Sequence, residues 1–222
     1  MVSPDSALGY LKINPDSWDS TLFDVAASYL AEKRSIWDVG ANVGAFAFSA
    51  PGGSKVVAVE ADPFLASLLQ RSVLLNPDLN VTVLCAAIAD KIGVSEFQIA
   101  ERGRSANSLA STMSRQSSGG IRYSQFVPTT TLDSLLDVFD APDFVKVDVE
   151  GAEELVLSGG EKILAEVRPE IYVEVGQQQR KAVTELFRKF RYRLFAPEVG
   201  NREVDECSFN TIAIPQECKV AN

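Results

Sequence analysis

Hydrophobic positions recur along the chain at two periods. From Ser17 to Ser35, Leu22, Val25, Ala26, Tyr29 and Leu30 fall on one face at helical spacing, which predicts an amphipathic helix capped by Ser17 or Asp19. IWDVG (36–40) and KVVAVE (55–60) are apolar and β-branched throughout, the composition of parallel strands covered on both faces. Between them, Val43 to Ala50 fits a short helix stopped by Pro51-Gly52-Gly53. Asp62-Pro63 opens the helix FLASLLQRSVLLN as N-cap and first-turn proline. NVTVLCAAIA (80–89) reads as a third strand, followed by a turn at ADKIG and an extended piece at VSEFQIA. A helix is predicted around TTTLDSLLD, then the strand FVKVDVEG (144–151). AEELVLSGGEKIL is helical but divided at Gly159-Gly160, since two glycines weaken a helix. The strand EIYVEV (170–175) precedes a helix over QQRKAVTELFRKF, and YRLFAP with FNTIAIP closes the chain as an antiparallel pair. No repeat of 20–50 residues is present.

Strands alternating with helices predict an α/β sandwich with a mostly parallel sheet, organised as a single domain over 1–222 with residues 1–35 as an N-terminal helical segment. Ligands of such sheets lie beyond the carboxyl ends of the strands. Residues 101–126 break the pattern. Seven serines and few large apolar side chains predict a long loop there, placed to act as a lid. It carries Arg102, Arg104, Arg115 and Arg122 against Glu101 alone.

Charge and composition narrow the chemistry. A net charge of −9 argues against a nucleic-acid footprint, and no apolar run approaches the roughly 20 residues of a membrane helix. The N-terminus lacks the charged and apolar regions of a signal peptide, and Cys85, Cys207 and Cys218 form no C-x-x-C pair, so a cytoplasmic location with reduced thiols is expected. The chain has no histidine, which excludes histidine-based triads and most catalytic zinc sites. Any general base must be Asp, Glu, Lys, Tyr or Cys.

The glycine loop reads D-x-G-x-N-x-G through Asp38, Gly40, Asn42 and Gly44. A dinucleotide fingerprint needs a further glycine in the middle, and Asp38 would repel a pyrophosphate, so an NAD-dependent oxidoreductase is the weaker reading. A ligand with a cationic end fits better, and S-adenosylmethionine carries both an ammonium and a sulfonium. On this reading Gly40 and Gly44 allow close backbone approach, and Asp38 and Asn42 face the methionine portion. Glu60, ending the second strand, accepts the ribose hydroxyls. Ala41, Ala61 and Ala87, beside the first three strand ends, complete the cofactor wall.

DVGANVG, VEADP and above all VKVDVEGAEELVLSGG resemble the FkbM family of class I S-adenosylmethionine-dependent methyltransferases. The resemblance runs from about Ile36 to Val175, with VPTTTLDSLL also matching. It implies a Rossmann-like sandwich with a seven-stranded sheet whose last strand is antiparallel. It also implies methyl transfer, commonly to a hydroxyl of a sugar, polysaccharide or natural product. A methyltransferase-like scaffold protein without turnover is the alternative of a different class.

In FVKVDVEG, alternation puts Lys146, Asp148 and Glu150 on one side of the strand. Asp148 at the strand's end is the first candidate for general base, Glu150 the second. Two other readings stand beside this one. Asp148, Glu150 and Glu174 could hold Mg²⁺, or Lys146 with Asp148 could be structural charge balancing. Glu153 and Glu154 read as first-turn helix acids, and Trp18 and Trp37 as core. Arg104, Ser108, Arg115 and Glu174 are the candidate acceptor contacts, the arginines favouring an anionic or carrier-linked acceptor such as a sugar nucleotide.

Overall fold

The computed structural model describes residues 20–31, 33–101, 104, 107–110 and 120–218. The predicted caps Ser17 and Asp19, together with Trp18 and Arg115, lie outside them. Helix α1 (Ser20–Tyr29) is followed by β1 (Ser35–Val39), a single 3-10 turn at Ala47–Ser49 in place of the predicted helix, and β2 (Lys55–Glu60). Next come α2 (Pro63–Leu75), β3 (Asn80–Cys85), β4 (Ala87–Ile88), β5 (Gly93–Ala100), β6 (Ser108–Leu109) and β7 (Ile121–Thr130). The chain continues through α3 (Leu132–Leu135), β8 (Phe144–Val147), α4 (Glu153–Ser158), a π-helical turn at Ile163–Val167 and β9 (Glu170–Glu174). It ends with α5 (Arg180–Lys189), β10 (Tyr192–Ala196), β11 (Arg202–Val204) and β12 (Asn210–Pro215).

These strands form an eight-stranded sheet in the order β11-β10-β12-β9-β8-β1-β2-β3 and a separate four-stranded sheet, β4-β7-β5-β6. In the large sheet β3, β2, β1, β8 and β9 run parallel, and β12 enters antiparallel between β9 and β10. The predicted antiparallel last strand is therefore present, but the count of seven is not. The eighth strand is β11, a largely exposed three-residue edge strand whose REV sequence carries no apolar alternation. The second sheet corrects the predicted loop over 101–126. Ser108–Leu109 pairs with β5, and β7 begins at Ile121. Its first residues are exposed, so the period-two signal is diluted there.

Side-chain alternation divides the large sheet into two covered faces. Trp37, Val57, Val145, Val147 and Val173 pack with Leu132, Val156 and Phe187 from α3, α4 and α5. Ile36, Ala58, Phe144 and Tyr172 pack with Leu22, Val25 and Leu69 from α1 and α2. Burial on both faces explains the unbroken apolar runs. Asp38, Glu60, Lys146 and Glu174 continue the second series at the strands' carboxyl ends, which gathers four charged groups at one edge of the core.

Two predicted breaks have direct causes. Asp62 caps α2 by accepting the Phe64 N–H at 2.9 Å, with Pro63 in the first turn. Gly159 ends α4 where a Cβ would stand 2.1 Å from the Ala89 carbonyl oxygen, so only glycine lets the helix approach β4 this closely. Cys85, Cys207 and Cys218 are free thiols. Among the described residues no helix is long and apolar enough to cross a membrane.

Candidate active site

The ends of β1, β2 and β8 open into one cavity of about 600 Å³, a volume that takes in the open solvent at its mouth. One side is built from the large sheet and its strand exits by Gly40, Asn42, Glu60, Asp148 and Glu150; the second sheet supplies Phe97 and Leu109, and the connection between β5 and β6 supplies Arg104 and Asn107.

The chain turns out of β1 at Gly40, whose φ is +78°. A Cβ there would lie 1.8 Å from the Asp148 carbonyl oxygen. Glycine is therefore what brings the loop against the exit of β8. Asn42, also left-handed at φ 52°, donates its N–H to Glu60 Oε2 at 2.8 Å. Glu60 Oε1 accepts the Asp62 N–H at 2.8 Å. One carboxylate thus ties the glycine loop to the turn after β2, and each oxygen keeps a further lone pair. Burial, only partly offset by these two N–H groups, pushes the Glu60 carboxyl up to about 7.

Ala61 and Ala87 line the same cavity. Asp38, Ala41 and Gly44 do not. Ala41 is buried in the core between sheet and helices. Gly44 lies against Leu69 and Phe48. Asp38 is wholly buried, its Oδ1 3.1 Å from Lys146 Nζ. Burial raises the Asp38 carboxyl despite Lys146 beside it.

Lys146 is the centre of the charged group. Its ammonium donates to the Gly40 carbonyl at 2.7 Å and lies 3.7 Å from Asp148 Oδ2. Burial pulls its basicity down, but Asp38, Asp148 and Glu174 outweigh that and leave it raised. Asp148 presents one oxygen to this cation, while its Oδ1 is buried and has no hydrogen-bond partner among the described residues. Glu150 lines the cavity at φ 54°, and Gly151 follows at φ 103°, so strand alternation stops after β8.

The remaining candidates scatter. Glu174 ends β9 and accepts from Tyr172 Oη at 3.3 Å, outside the cavity wall. Ser108 is buried in β6 with its hydroxyl unpartnered among the described residues, also off the wall. Arg104 is on the wall, but its Nη1 lies 2.6 Å from Asp62 Oδ2. Glu153 Oε1 accepts the Gly151 N–H at 2.8 Å, in keeping with a first-turn helix acid. Asp148, Glu150 and Glu174 do not converge as the Mg²⁺ reading requires. Among the described residues no group of three or more Cys, Asp or Glu could hold a metal ion. Sequence reasoning missed Phe97 as a wall residue and gave Asp62 only a capping role; Asp62's position two residues after Glu60 was the available signal.

The strand order, the antiparallel β12 and a cavity at the carboxyl ends define a class I methyltransferase fold. Residues 38–203 match the family model described as the methyltransferase FkbM domain, and the chain belongs to that family. No curated protein matches the chain in sequence. The methyltransferase FkbM of Methylobacillus flagellatus shares the fold at TM-score 0.56 and 16% identity, over 81% of this chain and 43% of that one. This chain thus spans less than half the length of that relative. The precorrin-6y C5,15-methyltransferase of Geobacter metallireducens superposes at TM-score 0.53 and 13% identity, covering 97% of this chain and 94% of its own.

Membership of the family implies S-adenosylmethionine. The residues present fit it. The cavity wall carries Glu60, Asp148 and Glu150, and its one cationic side chain among the described residues, Arg104, faces Asp62. Lys146 behind the wall faces Asp38 and Asp148, so the site keeps carboxylate charge for a cationic ligand.

Proposed function

We propose that the protein is an S-adenosylmethionine-dependent methyltransferase acting on a hydroxyl of a small-molecule or saccharide acceptor. The observation that supports it is Glu60, held at the cavity wall between the Asn42 and Asp62 N–H groups with acceptor capacity to spare. When bound, the cofactor supplies an electrophilic methyl on sulfur. Glu60 accepts the ribose hydroxyls, and the Gly40–Asn42 turn flanks the amino-acid end. Asp148, on the cavity wall, takes the proton that the acceptor hydroxyl loses during attack. Lys146 steadies that carboxylate from behind the wall. Support for an anionic acceptor is weaker: Arg104 is committed to Asp62, Arg102 and Arg115 lie outside the described residues, and Arg122 is exposed on β7.

Calorimetry with S-adenosylmethionine and NAD side by side tests the reading, and binding of NAD alone would replace it with a dehydrogenase. Labelled cofactor with a panel of sugars and polyols separates an enzyme from a scaffold without turnover. A pH signature is also expected. With its carboxyl raised to about 7, Glu60 contributes stability below its unfolded value of 4.5 that is lost as pH rises through 7. Ribose hydroxyls favour the ionised form, so cofactor affinity should rise from pH 5.5 to 7.5 with release of up to about one proton. Glu60→Gln should flatten that dependence and weaken binding by about 1–3 kcal/mol, because an amide N–H₂ would face a backbone donor. A pH-independent affinity in the native protein would remove Glu60 from the ribose site.

A further inference from the structure

Arg104 sits where sequence alone suggests an anion ligand, yet it is only 8% exposed. Its Nη1 donates to Asp62 Oδ2 at 2.6 Å and its Nη2 to Tyr123 Oη at 3.1 Å. The guanidinium carbon lies 4.5 Å from the centroid of the Phe64 ring. Asn107 Nδ2 donates to the same Asp62 oxygen at 2.9 Å, and its Oδ1 accepts the Ala100 N–H at 2.9 Å. Asp62 is 1% exposed and spends its other oxygen on the α2 cap. An incoming phosphate would have to displace this buried carboxylate from both nitrogens it competes for.

Asp62 is also the residue whose N–H holds Glu60 Oε1. A continuous path therefore runs from Arg104 through Asp62 to Glu60 and on to Asn42 of the glycine loop. Arg104 and Asn107 line the same cavity as Glu60 and Ala61. The Arg104 Nε–H is buried and has no hydrogen-bond partner among the described residues.

We infer that Arg104 is a positioning residue for the cofactor: by clamping Asp62 it fixes the turn behind Glu60 and seats the second sheet as a wall of the nucleoside end. This rests on the methyltransferase reading above. Arg104 acts on cofactor affinity, and the acceptor does not meet its charge. A methionine in its place leaves Asp62 Oδ2 buried with Asn107 as its one side-chain donor among the described residues. A lysine restores the charge but not the fork that reaches Asp62 and Tyr123 together.

The test uses the full chain and calorimetry with three probes: S-adenosylhomocysteine, adenosine and inorganic phosphate. Arg104→Met should weaken S-adenosylhomocysteine and adenosine by the same factor, tenfold or more, and Arg104→Lys should fall between it and the native protein. Melting temperature is read in parallel; if Arg104→Met does not fold, Arg104→Lys carries the test with an expected loss of threefold or more. A folded variant that binds S-adenosylhomocysteine as the native protein does overturns the inference. Loss of phosphate binding in that variant would make Arg104 an anion ligand, and unchanged phosphate binding would make it a purely structural residue. A native protein that binds no S-adenosylhomocysteine overturns the methyltransferase reading itself.

Discussion

Asp148→Asn is expected to lower turnover by roughly 10²–10⁴ while leaving cofactor affinity within about twofold, the loss that follows when a positioned group can no longer take a proton. The amide keeps the size of the side chain and, through its oxygen, the contact with Lys146. Asp148 holds its place by main-chain contacts that substitution does not touch: its N–H donates to the Val39 carbonyl at 3.0 Å, and its carbonyl oxygen abuts Gly40. Rate and binding should therefore separate. Single-turnover kinetics with saturating labelled cofactor is the measurement. Activity that collapses with chelator and returns with Mg²⁺ would reassign Asp148 to a metal. A near-native rate in the variant, indifferent to chelator, would leave alignment of acceptor and sulfonium as the source of catalysis.

Lys146→Met should cost about 3–5 kcal/mol of folding stability, the usual penalty for stranding one member of a buried ion pair. Asp38 is 0% exposed and has Lys146 as its ion-pair partner, with Asp148 and Glu174 adding negative charge nearby. The penalty should depend on pH. Burial already raises the Asp38 carboxyl, and loss of the ammonium raises it further. At acid pH Asp38 folds neutral and the variant approaches the native stability. The deficit then grows as pH rises and ionisation is enforced in the unfolded chain. Urea melts at pH 5 and pH 8 give the comparison. Asp38→Asn in the same background should recover part of the loss, and a constant deficit at both pH values would remove Asp38 from the account.

Much of this architecture is legible in the sequence where one residue type answers a local demand. Gly40 must be glycine because the turn is left-handed and a strand exit lies against it. Glu60 announces itself as an acid ending an apolar strand. The Asp62-Pro63 cap follows from backbone chemistry within a few residues, and the Gly159 break shows as a glycine pair in a helical run. Other features depend on partners far along the chain. Asp38 looks like a ligand to a cationic cofactor until Lys146, on another strand, turns it inward. Arg104 reads as free charge because Asp62, 42 residues away, gives no local sign of the contact. The second sheet was missed because β7 exposes most of its first half, so serine and arginine mask the alternation that Val127 and Thr129 keep.

The Lys146–Asp38 pair bears on how the chain finds its fold. The two residues stand opposite each other on β1 and β8, strands that meet only after the whole second sheet has been synthesised. Contacts of such long range form late. Apolar side chains alone discriminate poorly between neighbouring alignments of SIWDV against FVKV, because both strands are buried on both faces. Shifting by one residue drives the ammonium into the valine-rich layer, and shifting by two leaves both charges buried and unmatched. Replacing both residues with apolar ones of similar volume should spare equilibrium stability yet make refolding multiphasic; single-phase refolding would deny the pair this role. The charges act as a checkpoint on assembly: a mispaired intermediate stays costly enough to come apart and try again.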